Sequence, residues 1–391
     1  MSSSTLSSHD VNTRDRVVSV DLLRGFVMIV MALDHTRDFF SKLRFPPEDL
    51  SRATPALFFT RWITHFCAPA FFLLAGLGAA LSLSRGRSIR NLSWFLFTRG
   101  LWLVFLEIFI LHFIWNFSWQ FPVILNVIWA LGLSMIVLSA LVYLPEGAIA
   151  AIALAMIFGH NLLDGITPDS MGSLAPLWHI LHAPGFAMPG KAILAYPLIP
   201  WSGVMALGFA LGRVYRWEPE RRRRFLIISG AIAVALFVVL RGFNLYGNPR
   251  PWAPMSTPLM TAAAFLNTLK YPPSLHFLLM TLGPAFILLG LFERARGAVV
   301  DFVTVYGKVP LFYFVLHIFV IHLLATAFAL SQGGEAAFLG IDLSAYPPWY
   351  GTNLLGVYLA WVVVVVLLYL PCRLYADFKR RRTDLKWPSY L

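Results

Sequence analysis

The sequence predicts an all-α fold, a polytopic integral membrane helix bundle with about ten transmembrane helices. Two observations predict it. Of the 391 residues, 58% are hydrophobic and only 13% are charged, whereas about a quarter of the residues in a soluble domain carry a charge. Repeated apolar stretches of about 20 residues also fit spanning helices, and barrel strands, which run about ten residues and alternate in polarity, do not fit them.

The predicted spans form one domain at 17–375, between a polar cytoplasmic tail at 1–16 and a basic cytoplasmic tail at 376–391. The polar tail lacks the apolar core and cleavage site of a signal peptide, so the first span is expected to remain as an anchor. The spans are expected at 17–39, 57–83, 94–115, 122–144, 146–163, 194–215, 224–243, 273–293, 309–330 and 352–375.

Basic residues cluster in every second connection, which predicts the orientation by the positive-inside rule. The clusters are Arg85, Arg87 and Arg90, then Arg213, Arg216 and Arg221 to Arg224, then Arg294 and Arg296, and finally Lys379 to Arg382. Both termini are therefore expected in the cytoplasm. The net charge of +12 suits contact with anionic membrane lipids, so no nucleic acid partner is expected. A nucleotide or coenzyme site is the alternative interpretation of these clusters.

The first span carries charged residues that are costly at membrane depth. Ten residues separate Arg24 from His35, and eleven steps of about 100° bring both side chains to one helix face, about 16 Å apart along the axis. Asp21 falls on that face too. A charge at the bilayer centre costs at least about 2.5 kcal/mol, so an intramembrane ionisable residue is a functional-site hypothesis. We therefore expect a polar stripe that runs along span one.

Nine of the ten histidines are expected at mid-membrane or on the outer side. On span two, Arg61 and His65 are four residues apart and share a face, and Pro69 is expected to kink the helix beside them. On span nine, the spacing of Tyr306, Tyr313 and His317 also predicts one shared face.

Metal and phosphate-binding motifs are not evident in the sequence. His179 and His182 in the outer loop at 164–193 have the spacing of a metal pair, but Trp and His also anchor interfacial loops. No metal is therefore expected. The sequence contains no Walker motif, no GxGxxG and no HExxH, which disfavours ATPase, dinucleotide-binding and metalloprotease functions.

Four segments together resemble one enzyme family. They are SVDLLRG at 19–25, APAFFLLAG at 68–76, YPLIPWSG at 196–203 and GKVPLFYFVLH at 307–317. They resemble the catalytic membrane domain of heparan-alpha-glucosaminide N-acetyltransferase and its bacterial relatives, and the similarity extends over nearly all of 17–375. The Arg-x10-His spacing of span one is also similar to that of the acyltransferase-3 membrane enzymes, which modify bacterial surface glycans.

The resemblance implies that an acyl group passes from cytoplasmic acyl-CoA, most simply acetyl-CoA, to a sugar or glycan acceptor on the far side of the membrane. It also implies that Arg24 lies near the coenzyme arm and that His35 is closest to the transfer. The lysosomal members carry an active-site histidine in the stretch after span one, whereas 40–56 contains none here. This departure favours His35 or His65 as a general base for direct transfer.

Acyl transfer needs a base for the nucleophile, hydrogen-bond donors for the oxyanion and a path for the coenzyme. Histidine suits the first task because its ordinary pKa is about 6.5. The catalytic candidates are His35, His65 and Asp34. The coenzyme-binding candidates are Arg24, Asp21, Arg99 and Lys308, and the substrate-binding candidates are Arg61, Tyr313, His317 and Trp201.

The alternative hypothesis is a proton-coupled transporter or flippase, in which the histidines relay protons and Arg24 binds an anionic head group. No internal repeat is evident in the sequence, which disfavours many transporter folds. A structural membrane protein is the third interpretation, but nine histidines at or above mid-membrane are hard to reconcile with it.

Overall fold

The computed structural model describes residues 17–188, 191–340, 342–382, 384, 385, 387 and 390, and it confirms the all-α membrane fold. The tail predicted at 1–16 lies outside the described residues. Within them, eight helical segments are long and apolar enough to cross a membrane. Two further helices add to these: α1 carries several charges, and α6 has 15 residues. The chain is an integral membrane protein.

Fifteen α-helices form the described bundle. They are α1 (Val18–Phe40), α2 (Pro55–Thr64), α3 (Cys67–Ser84), α4 (Ile89–Phe105), α5 (His112–Asn116), α6 (Val127–Leu141), α7 (Glu146–Gly159), α8 (Ala175–Leu181), α9 (Leu198–Leu211), α10 (Pro219–Gly242), α11 (Pro258–Leu266), α12 (Leu275–Phe292), α13 (Ala298–Lys308), α14 (Pro310–Ser331) and α15 (Leu354–Arg381). A π-helix, Leu106–Leu111, joins α4 to α5, and a 3-10 helix, His160–Leu163, continues α7.

The predicted spans coincide with helices of the structure, and three of their bounds need correction. Spans four and six are expected from 122 and 194, but α6 begins at Val127 and α9 at Leu198, because 123–125 and 192–194 form strands. The last helix continues to Arg381, so the basic tail expected from 376 begins as helix. Spans two and three each comprise two α-helices, α2 with α3 and α4 with α5.

Helix α1 lies inside the bundle, against α3, α12, α13, α14 and α15. Its closest approach is to α13: a Cβ on Gly25 would lie 2.0 Å from the carbonyl oxygen of Val303, and one on Gly307 would lie 1.9 Å from that of Asp21. Small residues at such crossings let helix backbones meet in membranes. The glycines of two family-like segments, 19–25 and 307–317, therefore pack against each other.

Two spans are interrupted beside the residues of the candidate site. Span two breaks between α2 and α3, at His65 and Phe66, and Pro69 contributes because it has no N–H for the helix ladder. Span nine begins at Pro310, after the non-helical Val309 ends α13. Tyr306 therefore lies on a different helix from Tyr313, which corrects the expectation of one continuous face, although their rings still meet at 5.1 Å.

A small sheet organises the connections near the loop at 164–193. Strand β1 (Val123–Leu125) pairs in parallel with β3 (Ala192–Leu194), and β2 (Gly185–Met188) pairs antiparallel with β3, so the order is β1-β3-β2. Together with α8, the sheet gives this loop defined structure. Three-residue strands carry too little periodicity for the sequence to predict them.

Candidate functional site

The polar residues of α1 line two cavities at different levels of the helix. Asp34 and His35 line a cavity of about 500 Å³, here called the His35 cavity. Arg24 lines a second cavity of about 270 Å³, here called the Arg24 cavity. Two residues, Phe71 of α3 and Phe314 of α14, line both cavities. The two spaces therefore adjoin at these aromatic rings.

A hydrogen bond to His317 sets the tautomer of His35. Nδ1 of His35 lies 2.7 Å from Nε2 of His317, and the two rings stack. Nδ1 of His317 lies 3.0 Å from the carbonyl oxygen of Tyr313. Because a carbonyl only accepts, Nδ1 of His317 donates, and Nε2 of that neutral ring must be the acceptor. His35 then donates from Nδ1, which leaves its Nε2 unprotonated and able to act as a base.

Asp34 forms ion pairs with two arginines. Arg37, one turn along α1, places Nη1 2.7 Å from Oδ1 of Asp34. Arg61 of α2 donates from Nη1 to the other carboxylate oxygen, Oδ2. A buried carboxylate requires such compensation, because an unpaired charge at this depth would be strongly unfavourable. Asp34 therefore orders the arginines beside His35.

Arg61 extends this network to Glu48, in the connection between α1 and α2. Its Nε donates to Oε1 of Glu48 at 2.7 Å, and Nε2 of His65 lies 3.4 Å from the same oxygen. Burial raises the pKa of Glu48, but the charge of Arg61 and the hydrogen bond from His65 together lower it by more. The pKa of Glu48 therefore lies well below its usual range. Glu48 is therefore ionised at neutral pH.

His65 lies beside the same arginine but lines a different space from His35. That space also contacts Arg241 and Trp252, and it shares Glu48, Arg61 and Lys270 with the His35 cavity. The structure therefore brings Asp34, His35 and Arg61 to one cavity wall, and it separates His65 from that wall by the Arg61–Glu48 pair.

The His35 cavity has a mixed lining of charged and aromatic side chains. The charged ones are Asp34, Arg37, Asp38, Arg44, Glu48, Arg61, Glu107, Lys270 and Asp342. The aromatic ones, besides the two shared phenylalanines, are Phe45, Trp115, Tyr196 and Tyr271. Thr64 and Asn126, whose side chains can donate hydrogen bonds, also line it. Such a lining can hold a polar, hydroxyl-bearing molecule against apolar ring faces.

The Arg24 cavity is lined by cations and apolar residues. Its charged lining residues are Arg24, Arg87, Arg99, Lys308 and Lys379. Asp21 lies behind Arg24, with Oδ1 3.1 Å from Nη1, and the carbonyl oxygens of Leu74 and Gly307 each lie 3.4 Å from the guanidinium. This lining suits an anionic ligand.

Five predicted residues line neither cavity: Asp21, His65, Trp201, Tyr313 and His317. Trp201 is buried and stacks on Phe72, and Tyr313 stacks on His317. His317 contacts two residues that line the larger cavity, His35 and Phe314. These positions place Tyr313 and His317 in a layer behind His35.

Sequence reasoning missed Arg37, Glu107, Lys270 and Tyr271, all of which line the His35 cavity. A signal existed for Glu107, because a single carboxylate inside an apolar span is itself a functional-site hypothesis. Its Oε2 accepts hydrogen bonds from the backbone N–H groups of Ile128 and Trp129, each at 3.0 Å. The carboxylate therefore satisfies free donors at the N-terminus of α6.

A family model described as heparan-alpha-glucosaminide N-acetyltransferase, catalytic, matches residues 16–246. With the helical membrane bundle, this match defines an integral membrane protein of an acetyltransferase class. The chain belongs to the heparan-alpha-glucosaminide N-acetyltransferase catalytic family, which confirms the resemblance to that family over residues 16–246. The similarity to the acyltransferase-3 enzymes stays a prediction. The match includes Arg24, His35 and Arg61, whereas Lys308 and His317 lie beyond it. No curated protein matches the chain significantly.

Proposed function

We propose that this protein is a transmembrane acyltransferase that moves an acetyl group from acetyl-CoA to a sugar or glycan, with His35 as general base. One observation carries the proposal beyond family membership. A cation-lined cavity and a larger cavity containing His35 adjoin at Phe71 and Phe314. A transferase that works across a membrane needs such an arrangement, because donor and acceptor must reach one point from opposite ends.

The Arg24 cavity is the proposed coenzyme end. Coenzyme A carries several negative charges on its phosphates, and Arg and Lys are the side chains that bind phosphate. Arg24, Arg99 and Lys308 line this cavity together with apolar residues such as Met28 and Leu311. The cations suit the phosphates, and the apolar wall suits the pantetheine arm as it extends towards Phe314.

The His35 cavity is the proposed acceptor end. Its carboxylates can accept hydrogen bonds from sugar hydroxyls, and Trp115, Tyr196 and Tyr271 offer ring faces for the apolar side of a sugar. In the transfer, unprotonated Nε2 of His35 takes the proton from the hydroxyl or amine of the acceptor. The oxygen or nitrogen of that acceptor group then bonds to the thioester carbonyl carbon. The carbon–sulfur bond then breaks, and the thiolate leaves as coenzyme A after taking the proton from the imidazolium.

Loop charge supports an orientation with the Arg24 cavity towards the cytoplasm. Arg87, Lys308 and Lys379 line this cavity, and Arg87 and Lys379 belong to the basic clusters that the positive-inside rule assigns to the cytoplasm. Cytoplasmic acetyl-CoA would then enter at this end, and the acceptor would enter on the extracytoplasmic side. We propose the bacterial inner membrane as the location.

The test uses purified full-length protein in proteoliposomes with radiolabelled acetyl-CoA and a panel of amino sugars and glycans. We expect acetyl transfer by the wild type and a loss of about 10²- to 10⁴-fold in His35→Gln, the usual contribution of a general base. The matched control is His112→Gln, because His112 lies in a separate groove with Trp119, and its activity should stay close to the wild type.

Two results would overturn the proposal. One is the absence of both acetyl transfer and coenzyme binding with every acceptor. The other is full transfer by His35→Gln, which would remove His35 as the base. Counterflow of a substrate without any coenzyme would favour the transporter hypothesis instead.

A further inference from the structure

A cluster of two histidines and an aspartate lies away from both cavities. His160 begins the 3-10 helix that continues α7, Asp164 follows that helix, and His182 follows α8. One potential ligand atom from each residue lies within 4.8 Å of the other two. Segments separated by the loop at 165–181 therefore bring three metal-ligating side chains together.

The two histidines are buried but incompletely hydrogen-bonded. His160 is 1% exposed, and neither of its ring nitrogens has a partner among the described residues. His182 is 2% exposed, and its Nδ1 also lacks one. Burying a polar group without a partner is unfavourable, so each such group in a native structure calls for an explanation. A cation bound between the three side chains would supply a partner to one of the two ring nitrogens of His160.

We propose that His160, Asp164 and His182 bind a divalent transition metal of the zinc class, with water as the fourth ligand. Two imidazoles and one carboxylate form a ligand set that zinc commonly uses. Nε2 of His182 already lies 3.0 Å from Oδ1 of Asp164, close to the ligand-to-ligand edge of about 3.3 Å that tetrahedral zinc bonds require. Asp164 is exposed, so water can reach the fourth position.

A second layer of contacts orients the aspartate. Nδ2 of Asn161 donates to Oδ2 of Asp164 at 2.8 Å. Oδ1 of the same asparagine accepts from the backbone N–H of Leu275, the first residue of α12, at 2.9 Å. Such outer contacts hold ligands in position at metal sites. The metal would therefore join the loop after α8 to the ends of α7 and α12.

His179 is not part of the proposed site, although its spacing from His182 is what suggested a metal pair in the sequence. Its Nδ1 lies 2.8 Å from the carbonyl oxygen of Ala183, so the ring bonds its own loop. The third ligand is instead His160, which lies 22 positions before His182 in the chain. Folding, and not local spacing, creates this ligand set.

The experiment uses the full-length, tag-free protein in detergent, stripped with EDTA and then supplied with Zn²⁺ or Co²⁺ alone. We expect about one zinc per chain by elemental analysis, tetrahedral Co²⁺ bands in the visible spectrum and a higher thermal midpoint with metal. His160→Ala, Asp164→Asn and His182→Ala should each weaken binding by more than about tenfold. His179→Ala should bind like the wild type.

Asp164→Asn tests whether a loss of metal binding could come from misfolding, because this exposed residue can be changed without disturbing the core. Its metal-free circular dichroism spectrum and thermal midpoint should match those of the metal-free wild type. The proposal would be overturned by a stripped and resupplied wild type that holds no stoichiometric zinc. Wild-type affinity in Asp164→Asn and His160→Ala would overturn it as well.

Discussion

His35 of α1 and His317 of α14, which are 282 positions apart in the chain, form a hydrogen bond of 2.7 Å. The other ring nitrogen of His317, Nδ1, donates a hydrogen bond to the carbonyl oxygen of Tyr313. This chain of bonds leaves Nε2 of His35 unprotonated, so in the proposed reaction His317 would act as a positioning residue through His35.

Substitution of His317 should therefore change the rate and not substrate affinity. We expect His317→Phe to lower kcat by roughly 10- to 100-fold with little change in KM, because it removes the acceptor for Nδ1 of His35. His317→Gln keeps an acceptor oxygen and should restore much of the rate. Steady-state kinetics across pH 5 to 9 would measure both effects.

A shift in the pH profile of kcat should accompany the loss in His317→Phe, because the preferred tautomer of His35 changes. The positioning role would be wrong if the phenylalanine and glutamine variants lost the same activity and kept the wild-type pH profile. That result would assign His317 a packing role alone.

The close crossing of α1 and α13 predicts that alanine is destabilising at Gly307 but not at a glycine with open space around it. Gly307→Ala places a Cβ 1.9 Å from the carbonyl oxygen of Asp21, so the helices must separate at a cost of about 1–3 kcal/mol. Gly147→Ala on α7 meets nothing within 4 Å and should be neutral or stabilising by up to about 1 kcal/mol. Thermal midpoints in detergent would compare them.

Equal midpoints for the two alanine variants would contradict this account of the crossing. Gly307→Ala should also weaken coenzyme binding, because the carbonyl oxygen of Gly307 lies 3.4 Å from Nη1 of Arg24. Isothermal titration with coenzyme A would measure that loss, with Gly147→Ala as the control.

The spans could be predicted from the sequence because lipid imposes a length and an apolar composition on each helix. The polar positions of α1 could be predicted for the same reason, since charge is conspicuous against that background. The contact between His35 and His317 could not, because it depends on how α1 packs against α14. Both histidines were candidates, but nothing local to either one pairs them.

The residues that sequence reasoning missed fall into two groups. Lys270 and Tyr271 lie in a connection, where charged and aromatic residues are ordinary, and only the packing of that connection brings them to the His35 cavity. The residues of strand β1 fall within predicted span four, because three apolar residues before a helix have the same composition as the helix itself. In both cases tertiary contacts, and not the local pattern, decide the outcome.

We expect Glu107 to stabilise the fold mainly because it accepts hydrogen bonds, and less because of its negative charge. Its Oε2 accepts both backbone N–H bonds from Ile128 and Trp129, and burying these donors without an acceptor costs about 1–3 kcal/mol. Glu107→Leu should therefore lower the thermal midpoint by several degrees. Glu107→Gln retains an acceptor oxygen and should fall between Glu107→Leu and the wild type.

The measurement is thermal unfolding of each Glu107 variant in the same detergent. A glutamine variant as unstable as the leucine variant would show that the negative charge, and not hydrogen bonding alone, holds the N-terminus of α6. Equal stability of all three proteins would contradict the structural role of this carboxylate.

Glu48 predicts a pH dependence of stability with a defined sign. Burial raises its pKa, but Arg61 and His65 lower it below its usual range in the folded protein, whereas the unfolded chain has a value of about 4.3. The stabilisation is therefore fully present above about pH 5, and it is lost as the pH falls below about 4.3, where the unfolded chain binds the extra proton. Glu48→Gln should lower the thermal midpoint at pH 7 by an amount that shrinks towards pH 3.

Thermal midpoints of the wild type and Glu48→Gln in detergent, measured from pH 7 to pH 3, would follow this difference. Asp49→Asn is the matched control, because Asp49 is the next residue and its carboxylate bonds Ser51 instead of an arginine. A difference between wild type and Glu48→Gln that stays constant to pH 3, or that grows, would contradict the prediction. The sign follows from proton binding alone: the unfolded state takes up a proton at Glu48 before the folded state does, because only the folded state holds Arg61 against that carboxylate.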